Sequence, residues 1–272
     1  MLGLQALSDN LAVFAAEGGG GVHFPPIDHI VKWPAAFGDG QFWAFNKIGL
    51  MSVIAMVLPA AFFFFAGRGA KLVPSKLQNV AETAVDFVEN QVVLPAIGPD
   101  GLRYLPMLTS MMFFIWVGNM FEVIPTAHMP VNARMAGPAL LAVVTLVMFI
   151  GVGFKHNGLH YLKEVLFPPG VPWFLYFIVT PIEILSTFLI RPFSLAVRLF
   201  ANMLAGHILL VTFSVLTITL TASVGPLLGA AVLSFPMLVA FTAFEFMVAF
   251  LQAFIFALLT AVYIGSALHP SH

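Results

Sequence analysis

The sequence predicts an all-α polytopic membrane protein: about five membrane-crossing helices, an amphipathic interfacial helix, and a long tilted C-terminal helix hairpin. Three observations predict it. Of 272 residues, 60% are hydrophobic and only 8% charged, with a mean hydropathy of +1.00; soluble domains carry about 25% charged residues. The apolar residues gather into runs close to the ~20 residues that a bilayer-spanning helix needs. The last two runs are much longer and meet at Gly225–Pro226. A net charge of −1 excludes the basic surface that nucleic acid demands. With no cysteine, disulfides, zinc–thiolate sites and thiol catalysis are excluded too.

Residues 1–47 read as an extracytoplasmic N-terminal segment. Met1 to Gly21 has no basic residue before its apolar pieces, and Asp9 and Asn10 interrupt them, so no secretory signal is expected. Gly18 to Gly21 is a linker, lacking the Lys-Ser/Thr of a phosphate loop. His23, Asp28 and His29 lack metal-ligand spacing and read as a solvated loop. Ile48 to Ala66 supplies the first transmembrane helix, residues 48–66. Residues 67–102 form a cytoplasmic, interfacial segment. Within it, Ser75 to Val93 sets Leu77, Val80, Ala81, Ala84, Val85 and Val88 against Glu82, Asp86 and Glu89, an amphipathic pattern that lies on a membrane.

Residues 103–156 form a transmembrane hairpin of Leu105–Ile124, ended by Pro125, and Ala139–Phe154. A cytoplasmic loop, 157–171, follows. Residues 172–268 are the tilted hairpin. Helix from Pro172 through Thr221 would be about 75 Å long, so it must be broken, tilted or partly interfacial. Leu227 to Leu268 is a second run, of 42 residues, and 269–272 is a cytoplasmic tail. Basic residues fix the orientation. Arg68, Lys71, Lys76 and Arg103 follow the first span, and Lys155, Lys163 and Arg191 follow the third. Arg134 stands alone after the second, which puts the N-terminus outside.

Polar residues inside these runs carry the functional signal. Arg198 keeps its proton in any protein environment, and a charge at bilayer depth costs at least ~2.5–3.5 kcal/mol. It can snorkel to an interface, yet it lies beyond Arg191 with no other charge until Glu245. At about 100° per residue, Ser194, Arg198, Asn202 and Ala205 share one side of a helix. Ala201 and Gly206 flank that side, and small residues admit a second helix. His207 points nearly the opposite way, while Glu245 and Gln252 share a face of the last helix. Asn202 and Gln252 serve either as packing glue or as a cross-helix hydrogen bond. His207 and Glu245 both change protonation. Glu183 is an interfacial anchor or a proton relay, and Asn119 and Glu122 sit near the outer end of the second span. No Gly-x-Ser-x-Gly or His-Glu-x-x-His signature occurs.

Three segments resemble the a subunit of F-type ATP synthases, the stator half of a membrane proton channel. The first is Arg191-Pro-Phe-Ser-Leu-Ala-Val-Arg-Leu-Phe-Ala-Asn-Met-Leu-Ala-Gly-His207. The second is Glu245 with Leu251-Gln-Ala-Phe-Ile-Phe-Ala-Leu-Leu-Thr260 and Tyr263, and the third is Asn119 to Pro125. The resemblance implies that Arg198 acts on the carboxylates of a c-subunit ring between two offset half-channels. Asn202 and Gln252 then look like its polar neighbours, with Ser194 on the same side and Ala201, Ala205 and Gly206 packing against the ring. His207 and Glu245 resemble the proton-exchanging pair of the outward-facing half-channel, in the reverse order to some relatives. Glu183, Asn119 and Glu122 fall at half-channel positions, with Glu183 offset by about a residue.

The implied partners are the c-ring, peripheral-stalk b subunits, the rest of the synthase, lipid and protons, with no nucleic acid. No cofactor, no metal and no catalytic role for this chain are implied. The implied location is a bacterial cytoplasmic membrane, with an organelle energy-transducing membrane as the alternative. A transporter or channel using Arg198 for an anionic substrate would need a closed cavity within the chain, and transporter-like inverted repeats are not evident. An intramembrane enzyme would need an acid–base or metal cluster at the interface.

Overall fold

The computed structural model describes residues 47–68, 74–124, 131–167, 172–222 and 227–268, and every regular element among them is helical. The expectations for residues 1–46, including Gly18–Gly21, His23, Asp28 and His29, lie outside the described residues. So do those for Lys71, Pro125, the Gly225–Pro226 turn and the 269–272 tail. Two compact units are present. The larger holds the described residues of Pro34–His207 and Ala243–His272, and the smaller those of Ile208–Thr242.

Helix α1, Lys47–Gly67, is apolar on all sides. Few of its residues are buried within the protein, Ala55, Pro59 and Ala66 among them. An all-round apolar helix needs an apolar surrounding, so lipid supplies what the protein does not. Helix α2, Lys76–Val88, starts where the Ser75 hydroxyl accepts the Gln78 N–H at 3.3 Å. Its buried side is Gln78, Ala81 and Val88, whereas Leu77 and Val80 of the expected apolar stripe are exposed. The stripe is wider than the face the chain covers, so two of its residues remain on the outside.

Helix α2 runs on through a π-helical stretch, Glu89–Val93, and a turn, Leu94–Ala96. A second π-helical stretch, Leu185–Ile190, joins α6 (Tyr176–Ile184) to α7 (Arg191–Ala222). Each wide turn stands just before a proline, Pro95 or Pro192. A proline ring collides with the carbonyl four residues back; in both cases that residue, Gln91 or Phe188, lies in the π-helical stretch. Widening the helix relieves the collision without ending it. The long segment from Pro172 is therefore continuous: Trp173–Thr221 forms one helical run of 49 residues.

Helix α3, Leu105–Met120, stops short of the expected Ile124. Its last turn tightens, with Glu122 N–H bonded to the Asn119 carbonyl and Val123 N–H to that of Met120, each at 3.1 Å. Helix α4, Ala136–Asn157, exceeds the expected Ala139–Phe154 at both ends and yields to Gly158, whose φ of +59° suits glycine. The expected loop 157–171 contains a helix, α5 (Leu159–Leu166). Its Tyr161 is buried against Gly153, where a β-carbon would lie 2.6 Å from the ring. Burial pushes the Tyr161 phenol up, and the charge of Arg191 partly opposes that. Helix α8 is Leu227–Leu268. Among the described residues, four helical segments are long and apolar enough to cross a membrane, and the 16-residue apolar α3 is a further candidate.

The main core joins α2, α3, α4, α7 and α8 through residues such as Val88, Leu108, Ile115, Phe149, Leu199, Met203 and Phe256. On α8 the buried seam is built from small residues at every fourth position: Ala249, Ala253, Ala257, Ala261 and Gly265. Such spacing lets helix backbones approach closely. At Gly265 a β-carbon would come 2.5 Å from the Ala96 carbonyl oxygen. Asn157 Nδ2 donates to the Ala267 carbonyl at 3.1 Å, and the Arg191 guanidinium lies 5.5 Å from the Tyr263 ring centre. In the smaller unit, the rings of Phe213 and Phe241 pack 4.6 Å apart. The hydroxyls of Thr212, Thr217 and Thr219 bond back to carbonyls within α7.

Candidate functional site

Helix α7 is two-sided in the way its 3.6-residue repeat requires. Ser194, Arg198, Ala201, Asn202 and Ala205 are exposed on one side. Leu195, Ala196, Leu199, Met203, Gly206 and His207 are buried on the other. Arg198 has no hydrogen bond or ion pair among the described residues. Of its neighbours, Asn202 is tied to α8: its Nδ2 donates to Gln252 Oε1 at 2.8 Å. Gln252 is 2% exposed, so the bond anchors the edge of the arginine face to a buried side chain.

Gly206 corrects the sequence reading. Expected to flank the arginine face, it is buried and turned inward, and a β-carbon there would overlap the Glu245 carboxyl group. The small residue makes room for an acid of its own chain. His207, the next residue, is likewise buried, at 4% exposure, on the side away from Arg198. Glu245 is 5% exposed, and its Oε2 has no hydrogen-bond partner among the described residues.

A second acid lies close by. Glu122, just past the end of α3, is 2% exposed, and its carboxyl is within electrostatic range of Glu245. Glu122 Oε1, Asn119 Nδ2, Trp116 Nε1 and Gln252 Nε2 are buried without a hydrogen-bond partner among the described residues. Each such group left unpaired costs roughly 1–3 kcal/mol. The region is framed by aromatics: Trp116 meets Phe250 of α8 at 5.7 Å between ring centres, and Phe113 meets Phe63 of α1 at 5.1 Å.

The expected residues thus form two groups. Arg198, Ser194, Ala201, Asn202 and Ala205 make an exposed face, with Gln252 bonded behind it. His207, Gly206, Glu245, Glu122 and Asn119 are all buried, Gly206 leaves room for the Glu245 carboxyl, and Glu122 lies within electrostatic range of Glu245. Glu183 belongs to neither. It is half-buried on α6, 15 residues before Arg198, or about 22 Å along a regular helix. One residue escaped the sequence reading. Asn132, in the 3-10 turn Val131–Ala133, donates from Nδ2 to Asn119 Oδ1 at 2.8 Å. A lone asparagine in a connection carries no periodic signal, so only the folded chain could reveal it.

A sequence model of the family described as ATP synthase A chain matches residues 49–265. The chain is 42% identical to ATP synthase subunit a of Rhodococcus erythropolis over 252 residues, covering 91% of this chain and 90% of that protein. It is 40% identical over 249 residues to the protein of that name in Mesorhizobium japonicum, with coverage of 90% and 95%. For that of Frankia alni the identity is 43% over 230 residues, with coverage of 84% and 79%.

Proposed function

Because the chain belongs to the ATP synthase A chain family, we propose that it is the ion-translocating stator subunit of a rotary ATP synthase, in which Arg198 acts on ring carboxylates between two offset half-channels. The observation that carries this reading is the exposure of Arg198 on a face of small and polar residues, with no partner among the described residues. An arginine in an apolar helix needs a counter-charge, and a face that turns outward takes it from another chain. A transporter reading would require Arg198 to line an enclosed cavity, and its exposure argues against that.

The mechanism follows from electrostatics. A ring carboxyl travels through lipid in its neutral form, because a carboxylate there is costly. Beside Arg198 the ionised form is favoured, so its proton departs into one half-channel. A proton arriving through the buried Glu122–Glu245–His207 region restores the neutral acid, which then rejoins the lipid. Arg198 also blocks direct passage between the half-channels. Each charge crossing the potential contributes about 2.3 kcal/mol per 100 mV, so several ions drive one turn of ATP chemistry on other subunits. The partners are the c-subunit ring and the peripheral-stalk b subunits, and the setting is a bacterial cytoplasmic membrane.

Arg198→Ala tests this directly. In membrane vesicles the variant complex should retain its c-ring on purification and lose ATP-driven proton pumping by about 100-fold or more, as expected for removal of a group that acts on the moving charge. Retained coupled pumping would sink the reading.

A further inference from the structure

The stator mechanism makes no use of the place where the end of α1 meets α2. A crevice of about 280 Å³ opens there. Phe63 and Ala66 of α1 and Ala81 and Val85 of α2 line it with apolar atoms, and Glu82 and Asp86 line it with acid. Gln78, 7% exposed, donates from Nε2 to Glu82 Oε1 at 2.7 Å, so a buried amide sets the direction of that carboxylate. A second crevice shares Phe63 and Gly67 with the first and is lined by Phe64 and Arg68.

Position and charge specify the occupant. The apolar span of α1 ends at Gly67, so the crevice stands where hydrocarbon gives way to headgroups. On α2, Leu77 and Val80 are apolar and exposed, as in a helix that lies on lipid. Glu82 and Asp86 stand four residues apart, a like-charge spacing that destabilises a helix. Neither has an ion-pair partner among the described residues, and a cation between them relieves the repulsion. A carboxylate only accepts hydrogen bonds, so it pairs best with an ammonium that donates them, as a primary amine does and a choline headgroup cannot. Arg68 is exposed beside Gly67 and offers a cation to the phosphate of the same headgroup. At Gly67, common to both crevices, a β-carbon would meet nothing within 4 Å, so the backbone there is open to a ligand.

We propose that the end of α1 and α2 together bind a phospholipid with a primary-amine headgroup, such as phosphatidylethanolamine. Its ammonium is held by Glu82 and Asp86, its phosphate meets Arg68, and its acyl chains run along Phe63 and Phe64. The lipid fills the wedge between the end of the span and α2, and so ties the amphipathic helix to the membrane. The two acids disfavour an anionic lipid, and a quaternary ammonium forfeits their hydrogen bonds. The inference goes beyond the stator reading and does not depend on it.

The test places the purified complex in phosphatidylcholine vesicles that hold a trace of one photoactivatable lipid. The same diazirine-bearing acyl chain is carried on a phosphatidylethanolamine, phosphatidylcholine or phosphatidylglycerol headgroup. Cross-links are mapped by mass spectrometry, with the exposed apolar side of α4 around Val143 and Val147 as the internal reference. The phosphatidylethanolamine probe should label α1 and α2 about 3- to 5-fold more than either other probe, the scale of an exposed ion pair, and should label α4 no differently. Glu82→Gln combined with Asp86→Asn, both at exposed positions, should erase that contrast. If this variant does not assemble, the three probes on the parent complex decide. Equal labelling by the three, an unchanged contrast in the double variant, or a preference for phosphatidylglycerol would overturn the proposal. So would label on α4 with none on α1 and α2, because protein rather than lipid would then fill the crevice.

Discussion

At Gly206 a missing side chain makes room for a carboxyl group, and the consequence is measurable. Gly206→Ala should favour helix by roughly 0.5–1 kcal/mol, yet the new methyl group must displace Glu245. The expected outcome is a complex of nearly unchanged thermal stability whose passive proton conduction falls about 10- to 100-fold, since small displacements of a working group are costly. Equal losses of stability and conduction would instead mark a packing defect. At this scale the sequence was legible wherever one helix sufficed. The exposure of Ser194, Arg198, Asn202 and Ala205 follows from angular increments along α7 alone. Gly206 and Asn132 were not legible, because their meaning depends on Glu245 and Asn119 brought from elsewhere in the chain.

Among the elements, α8 makes the sharpest demand on side-chain size. Ala257 is fully buried within a seam of alanines, so Ala257→Leu should destabilise the complex by about 1–3 kcal/mol through overpacking. Val262→Leu, at an exposed position of the same helix, should leave stability within about 0.5 kcal/mol. Thermal unfolding of the purified complex in detergent checks both, and equal effects would refute a size-limited seam. Hydropathy located the apolar helices but not their ends. Helix α4 gained residues at each end, and α3 lost its last turn to tighter geometry. Helix α5 was read as loop because eight residues hold too few turns for periodicity to stand out. The continuity from α6 to α7 was hidden for another reason: Pro181 and Pro192 look like breaks, and a π-helical turn absorbs the second.

For the whole molecule, composition decided the class, and charge placement predicts the orientation. The basic residues after the first and third spans predict a cytoplasmic connection beyond α4. Lys155 is exposed at the end of α4. A single-thiol Lys155→Cys variant should therefore react with a membrane-impermeant maleimide in inverted vesicles and stay unlabelled in intact cells. The opposite pattern would reverse the orientation. What composition could not supply was the pairing of distant segments. Glu122 comes within electrostatic range of Glu245, 123 positions away, and no local pattern encodes such a distance.

The alanine seam has a mechanical consequence as well. Alanine has no side-chain rotamers to lose or exchange, so the buried seam of Ala249, Ala253, Ala257 and Ala261 has no side-chain torsions of its own to yield. Leu199 and Met203 of α7 belong to the same core. A seam without rotamers adds little compliance of its own to that core. What compliance the core retains then comes from longer side chains such as Leu199 and Met203, not from the seam itself.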